Sequence, residues 1–258
     1  MWSEIDARIR AAAAAKNGHD PRLADSDGDT VLHYAASNGH VHCVELLLLN
    51  GAGVNAWNVY NRTPLNMAAA SGHVAVIHAL LAAGAEVDWS RRIQVRDEAG
   101  AATGEIYHTL TALHWAVSHG TVETVEALLA AGADVNFETY SLGRTPLDEA
   151  VKRYGSFKRP EDEQQGHRLS RNWLRHNRMV PLLVRAGATI MERHAERDSY
   201  CRAVRNAGGI RAYERLHRTT LANILNRGNR LPADVIPKIV EFWAHVGWYA
   251  RRREYFSG

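Results

Sequence analysis

Apolar and polar residues follow the same order in four blocks along this chain. The first, from Thr30, reads TVLHYAASNGHVHCVELLLLNGAGVN, and the second, from Thr63, reads TPLNMAAASGHVAVIHALLAAGAEVD. The third, from Thr111, reads TALHWAVSHGTVETVEALLAAGADVN, and a fourth opens at Thr145 with TPLDEAV. That last block is interrupted and closes as PLLVRAGATI, from Pro181 to Ile190. Thr30 and Thr63 are 33 residues apart, Thr63 and Thr111 are 48 (one period plus 15), and Thr111 and Thr145 are 34. Thr30, Thr63 and Thr111 each precede a Gly-Ala pair by 21 residues; Thr145 precedes Gly187 by 42, so about 21 residues are inserted. A fixed period of this size marks a repeat architecture, in which each unit buries its apolar face against its neighbours.

Every block predicts two short helices joined by a turn. A threonine hydroxyl can cap the free N–H groups of the first turn, and proline suits the position after it. Leu32, Ala35 and Ala36 put small apolar residues on one face, so helices can approach closely. Gly39, Gly72 and Gly120 end the first helix. The second helix is expected to pack through Val44, Leu47 and Leu48, then Val76, Leu80 and Leu81, then Val125, Leu128 and Leu129. Gly51, Gly84, Gly132 and Gly187 close it.

With T-P-L-H-x-A-A, G-H, L-L, G-A and V-N in order at this period, residues 25–190 resemble the ankyrin repeat family, with about four repeats. The resemblance implies an all-α solenoid of helix-turn-helix units with short β-hairpin fingers between them. Residues 1–24 are expected to form an N-terminal capping helix, and residues 191–258 a C-terminal helical cap. His33 and His114 stand where the family's histidine ties neighbouring loops together by hydrogen bonds. Asn66 and Asp148 replace it in the other two copies, so less regular junctions are expected there.

Two insertions depart from the period. The first, at about 90–108, has β-favouring runs at Ile93 and Glu105 around a glycine-containing segment, and reads as a lengthened finger. The second, at about 156–177, is polar at its front and predicts a helical extension at its back, around Leu169, Trp173 and Leu174. Beyond it, MERHAERDSYCRAVRNAGG reads as one helix ending near Gly208 and Gly209. A second helix follows from Ile210. A third, after Pro232, carries an apolar stripe through Val235, Ile239, Trp243 and Val246. The stretch from Leu216 to Pro232 is partly similar to the suppressor-of-cytokine-signalling box, which couples ankyrin proteins to ubiquitin ligases. His217 replaces the box's cysteine, and its second Leu-Pro is missing.

Charge divides the chain. Residues 1–151 hold 9 Lys+Arg against 18 Asp+Glu, or −9; residues 152–258 hold 22 against 10, or +12. An acidic front and a basic back imply two functional segments, or a molecule whose ends attract different partners. With 46% hydrophobic and 23% charged residues, the composition excludes a disordered chain. Two cysteines, Cys43 and Cys201, exclude a disulfide scaffold. No apolar run is long enough to span a bilayer, and the first residues carry Glu4 and Asp6 where a secretory signal would be basic. An intracellular protein, cytoplasmic or nuclear, is expected, and a monomer.

Catalytic and metal signatures fail on context. Gly51, Gly53 and Ala56 fit a dinucleotide fingerprint but follow a helix rather than a strand. Asp25, Asp27 and Asp29 open like a calcium loop, yet its glycine comes early and its twelfth position is Ala36. His40, His42 and Cys43 are ligands by type but lack a fourth partner. Neither cofactor nor metal is expected, and no enzymatic activity. Asn136, ending Asp134-Val135-Asn136, is similar to the sites that asparaginyl hydroxylases accept in ankyrin repeats, which makes it a modification candidate.

The resemblance implies a non-catalytic scaffold that binds another protein through its fingers and inner helices. By the family pattern these positions are Trp57, Tyr60, Tyr107, His108, Trp115 and Tyr140, with Val59, Asn66 and Glu149 beside them. Aromatic anchors of this kind dominate interface energetics. The acidic balance of residues 1–151 implies a partner that presents basic residues. Two alternatives stay open: a ubiquitin-ligase adaptor working through the C-terminal helices, and a polyanion binder working through the basic half, although nucleic acid is not the expected ligand.

Overall fold

The structure, a computed structural model, describes residues 24–90, 92–96, 102–139, 143–154, 171–216 and 219. The expected N-terminal cap therefore lies outside the described residues, as do Tyr140, the front of the second insertion, nearly all of the box-like stretch and the final helix. By its internal contacts the chain divides into two units, residues 1–149 and 150–258.

Among the described residues the first unit holds three complete helix pairs: α1 (Val31–Ser37) with α2 (Val41–Leu49), α3 (Pro64–Ser71) with α4 (Val74–Ala82), and α5 (Ala112–Ser118) with α6 (Val122–Ala130). A fourth begins with α7 (Pro146–Tyr154), which runs across the boundary between units. First helices pack on first helices and second on second, giving two layers. Ala35, Ala36, Ala68, Ala69, Ala112 and Ala116 are all buried between the first helices. Side chains this small explain how the axes come so close. At Gly120 a Cβ would stand 2.3 Å from the Ala69 carbonyl oxygen of the preceding repeat, so only glycine fits there.

The helix starts follow the sequence. Thr30, Thr63 and Thr111 are N-caps in extended conformation. The Thr63 hydroxyl accepts from the Asn66 N–H at 3.2 Å. Thr121 and Thr124 cap α6 reciprocally, N–H to hydroxyl in both directions, at 2.9 and 3.3 Å. In the second helices the first leucine of each pair, Leu47, Leu80 and Leu128, is buried. Leu48, Leu81 and Leu129 are only half-buried, and Ile77, fully buried, belongs to the core instead. The i, i+3, i+4 pattern admits both leucines; the second lies at the edge of the apolar stripe.

The first insertion is a hairpin. Strand β1 (Arg92–Arg96) pairs antiparallel with β2 (Ala102–His108), Ile93 opposite Tyr107, with an irregularity between Gln94 and Arg96. Among the described residues this is the one ladder. Elsewhere the expected hairpins between repeats are turns with isolated bridges, Ala24 with Thr30 and Thr139 with Arg144. The inserted residues leave the stack in register. Asn55 Oδ1 accepts from the Glu86 N–H, 31 residues on, and Asp88 accepts from the Asp134 N–H, 46 residues on. The difference, 46 − 31, is the 15 extra residues.

In the second unit, α8 (Arg171–Arg185) runs through Pro181. The single helix expected from Met191 is two, α9 (Glu192–Arg197) and α10 (Ser199–Asn206), before a helical stretch at 210–216. The break is made by Asp198, extended at φ −124°, whose carboxylate accepts from the Cys201 N–H at 2.8 Å. His194 Nδ1 accepts from the Met191 N–H, as His33 Nδ1 does from Thr30, so the cap of the earlier repeats recurs here. None of the described helices is long and apolar enough to cross a membrane.

Candidate functional site

The turn between the first two repeats is organised by one buried side chain. Asn58 Oδ1 accepts from the N–H groups of Tyr60 and Arg62, at 3.0 and 2.9 Å, and its Nδ2 donates to Asp29 Oδ1 at 2.8 Å. The Val59 N–H donates to the Asp27 carbonyl of the preceding turn. Side-chain bonds thus replace a strand ladder and hold the tip rigidly. The tip exposes its apolar groups: Trp57 at 46%, Val59 at 59% and Tyr60 at 58%. Their solvation is unfavourable for a monomer, and clustered apolar groups on a rigid loop mark recognition surfaces.

Arg62, at the end of this turn, joins it to the third repeat. Its guanidinium carbon lies 4.9 Å from the centre of the Tyr60 ring and 5.9 Å from that of Trp115 on α5. Trp115 lies in turn 5.5 Å from the His119 ring, tilted by 33°. Tyr60, Arg62, Trp115 and His119 therefore form a continuous stack across two repeats. Arg62 Nε is buried without a hydrogen-bond partner. Cation–π contact, rather than an ion pair among the described residues, holds the guanidinium in place.

Buried histidines position this surface from behind. His33 Nδ1 accepts from the Thr30 N–H, so the ring carries its proton on Nε2, which donates to the Arg62 carbonyl at 3.0 Å. His114 repeats the arrangement between the Thr111 hydroxyl and the Arg144 carbonyl, at 2.8 and 3.2 Å. Burial lowers the pKa of both rings below the ordinary value of 6.5 and keeps them neutral. Asn66 does the same with its amide, donating to the Leu110 carbonyl at 3.4 Å. It is buried, which removes it from the expected binding surface. Asp148 instead accepts from Thr145 within its own repeat.

The other predicted positions separate. Tyr107 and His108 end strand β2. Glu149 accepts from Arg144 at 3.3 Å. Asn136 is half-buried, its N–H donating to Asp134 Oδ1 at 2.9 Å. It occupies the position that Asn55 and Asp88 hold in earlier repeats, where the side chain accepts from the next repeat's backbone. Burial raises the Asp88 pKa first, and the neighbouring Asp134 charge adds to it. Among the described residues no three potential metal ligands converge, and His42 faces Glu45 at 3.4 Å instead.

Sequence reasoning missed Arg62 and His119. A signal for Arg62 is present: Arg-Thr-Pro-Leu recurs at Arg62 and Arg144, each before a capping threonine. A family model described as ankyrin repeats (3 copies) matches residues 9–90 and 96–158. No curated protein matches the chain.

Proposed function

Because the chain belongs to the ankyrin repeat family, we propose that it is a non-catalytic scaffold that binds a partner protein on the turns and first helices of residues 24–149. The observation that carries this reading is the exposed apolar tip Trp57, Val59 and Tyr60, continuous through Arg62 with Trp115. Rigid aromatic groups beside a guanidinium are the composition of interface hot spots. The −9 balance of residues 1–151 speeds encounter with a partner of basic surface. Tyr107 and His108, at the end of β2, are further proposed partner-binding positions, and Asn136 is a candidate modification site.

Co-precipitation from cells tests the proposal, with the full chain and its Trp57→Ser/Tyr60→Ser variant. Both side chains are exposed, so the variant should melt with the wild type. A protein recovered by the wild type and lost from the variant is the expected result. Equal recovery by both would move the site elsewhere.

A further inference from the structure

We infer that the Tyr60–Arg62–Trp115 stack is an anion slot that receives a carboxylate side chain of the partner protein. The inference rests on the protein-binding reading above and names one element of the partner's chemistry. Arg62 is half-buried, its Nε is shut off from water without a hydrogen bond, and no carboxylate among the described residues pairs with it. One N–H of the guanidinium is thus desolvated, and its charge has no counter-charge among the described residues. A carboxylate meeting its remaining N–H groups would supply the missing counter-charge and form charge-assisted bonds.

The surroundings preorganise the slot. The Arg62 backbone is held on both sides, by Asn58 at its N–H and by His33 at its carbonyl. Its side chain is held by contact with two rings. Little conformational freedom remains to be lost on binding. Arg144, the corresponding arginine of the fourth repeat, shows the contrast: it already has an intramolecular carboxylate, Glu149, at 3.3 Å. The recurring Arg-Thr-Pro-Leu segment thus places two equivalent arginines, one satisfied within the chain and one left for a ligand. Arg62 lies in a segment of net charge −9, so a partner drawn there by its basic surface would need an acidic residue at this point. Such a local reversal fixes register and excludes partners that are merely basic.

A phage-displayed library of random peptides, panned on the full-length chain, tests the slot. Peptides enriched on the wild type should carry Asp or Glu at a fixed position beside an apolar residue. Their affinity should fall at least tenfold with Arg62→Gln and equally with Glu→Gln in the peptide, and no further when both changes are combined. Arg62→Lys, which keeps the charge, should fall between and serves as a folding control, with melting temperature as readout. Peptides that bind Arg62→Gln within twofold of the wild type would overturn the slot while leaving the protein-binding reading intact. A library with no enriched sequence on the wild type would count against that reading, and the slot with it. Arg62-dependent binding of a single-stranded oligonucleotide that outcompetes the peptides would reassign the slot to phosphate.

Discussion

His33 Nε2 donates to the Arg62 carbonyl oxygen at 3.0 Å across 29 residues. One end of this bond lies in the core and the other at the proposed recognition surface. The same ring accepts from the Thr30 N–H through Nδ1, so it caps its own helix and fixes the next turn together. Fold and candidate site therefore share a residue.

Replacing His33 should affect both. His33→Phe leaves the Thr30 N–H without its side-chain acceptor and the Arg62 carbonyl with only the Asn58 N–H. The expected loss is about 1–3 kcal/mol, measured by urea unfolding. Affinity for any ligand of Arg62 should fall as well. A variant as stable as the wild type would show that the inter-repeat bond contributes nothing.

Neutral histidines make stability depend on pH. The folded pKa values of His33 and His114 lie below 6.5, the ordinary value that the unfolded chain regains. Below pH 6.5 the unfolded state binds more protons, so stability falls as pH drops toward the folded pKa values. It is fully present above 6.5. Each ring contributes a slope of up to about 1.4 kcal/mol per pH unit in that window. Denaturant titrations between pH 7.5 and 5 should show it, and His33→Gln should flatten it. An unchanged slope in that variant would assign the dependence to other groups.

Two glycines should respond differently to alanine. At Gly84, φ is +89° and a Cβ meets nothing within 4 Å, so alanine costs only the left-handed conformation, about 1–2 kcal/mol. At Gly120 the Cβ meets the Ala69 carbonyl oxygen at 2.3 Å and forces the first helices apart. Gly120→Ala should be the more damaging change, by thermal melting. The reverse order would mean that α3 and α5 are not in close contact.

The hairpin should be removable. Its strands pair with each other, and the Asp88–Asp134 bond already bridges the repeats on either side. Replacing Arg92–Ile106 by a short glycine-containing turn should leave the melting temperature within about 2 °C. Partner affinity should fall by about 1–3 kcal/mol if the finger carries a hot spot. A large loss of stability would show that the hairpin packs on the stack.

The repeats were legible because their period is local. Thr30, Thr63 and Thr111 announce their helices within three residues, and the 21-residue step to glycine depends on no tertiary contact. The break at Asp198 was missed because a carboxylate cap, not glycine, makes it. The exposed tip at Trp57 and Tyr60 was read from the repeat pattern, whereas Asn66 was misplaced because its amide finds a carbonyl 44 residues away. Arg62 and Trp115 are 53 residues apart in sequence, and no spacing within one repeat announces their contact.

Photo-crosslinking in cells tests the central claim most directly, since it captures a partner of any identity at a chosen position. A benzophenone amino acid at Val59, on the exposed tip, should trap a protein adduct. The same group at Leu49, 83% exposed on the second-helix layer, should not. An adduct at Leu49 with none at Val59 would contradict the account.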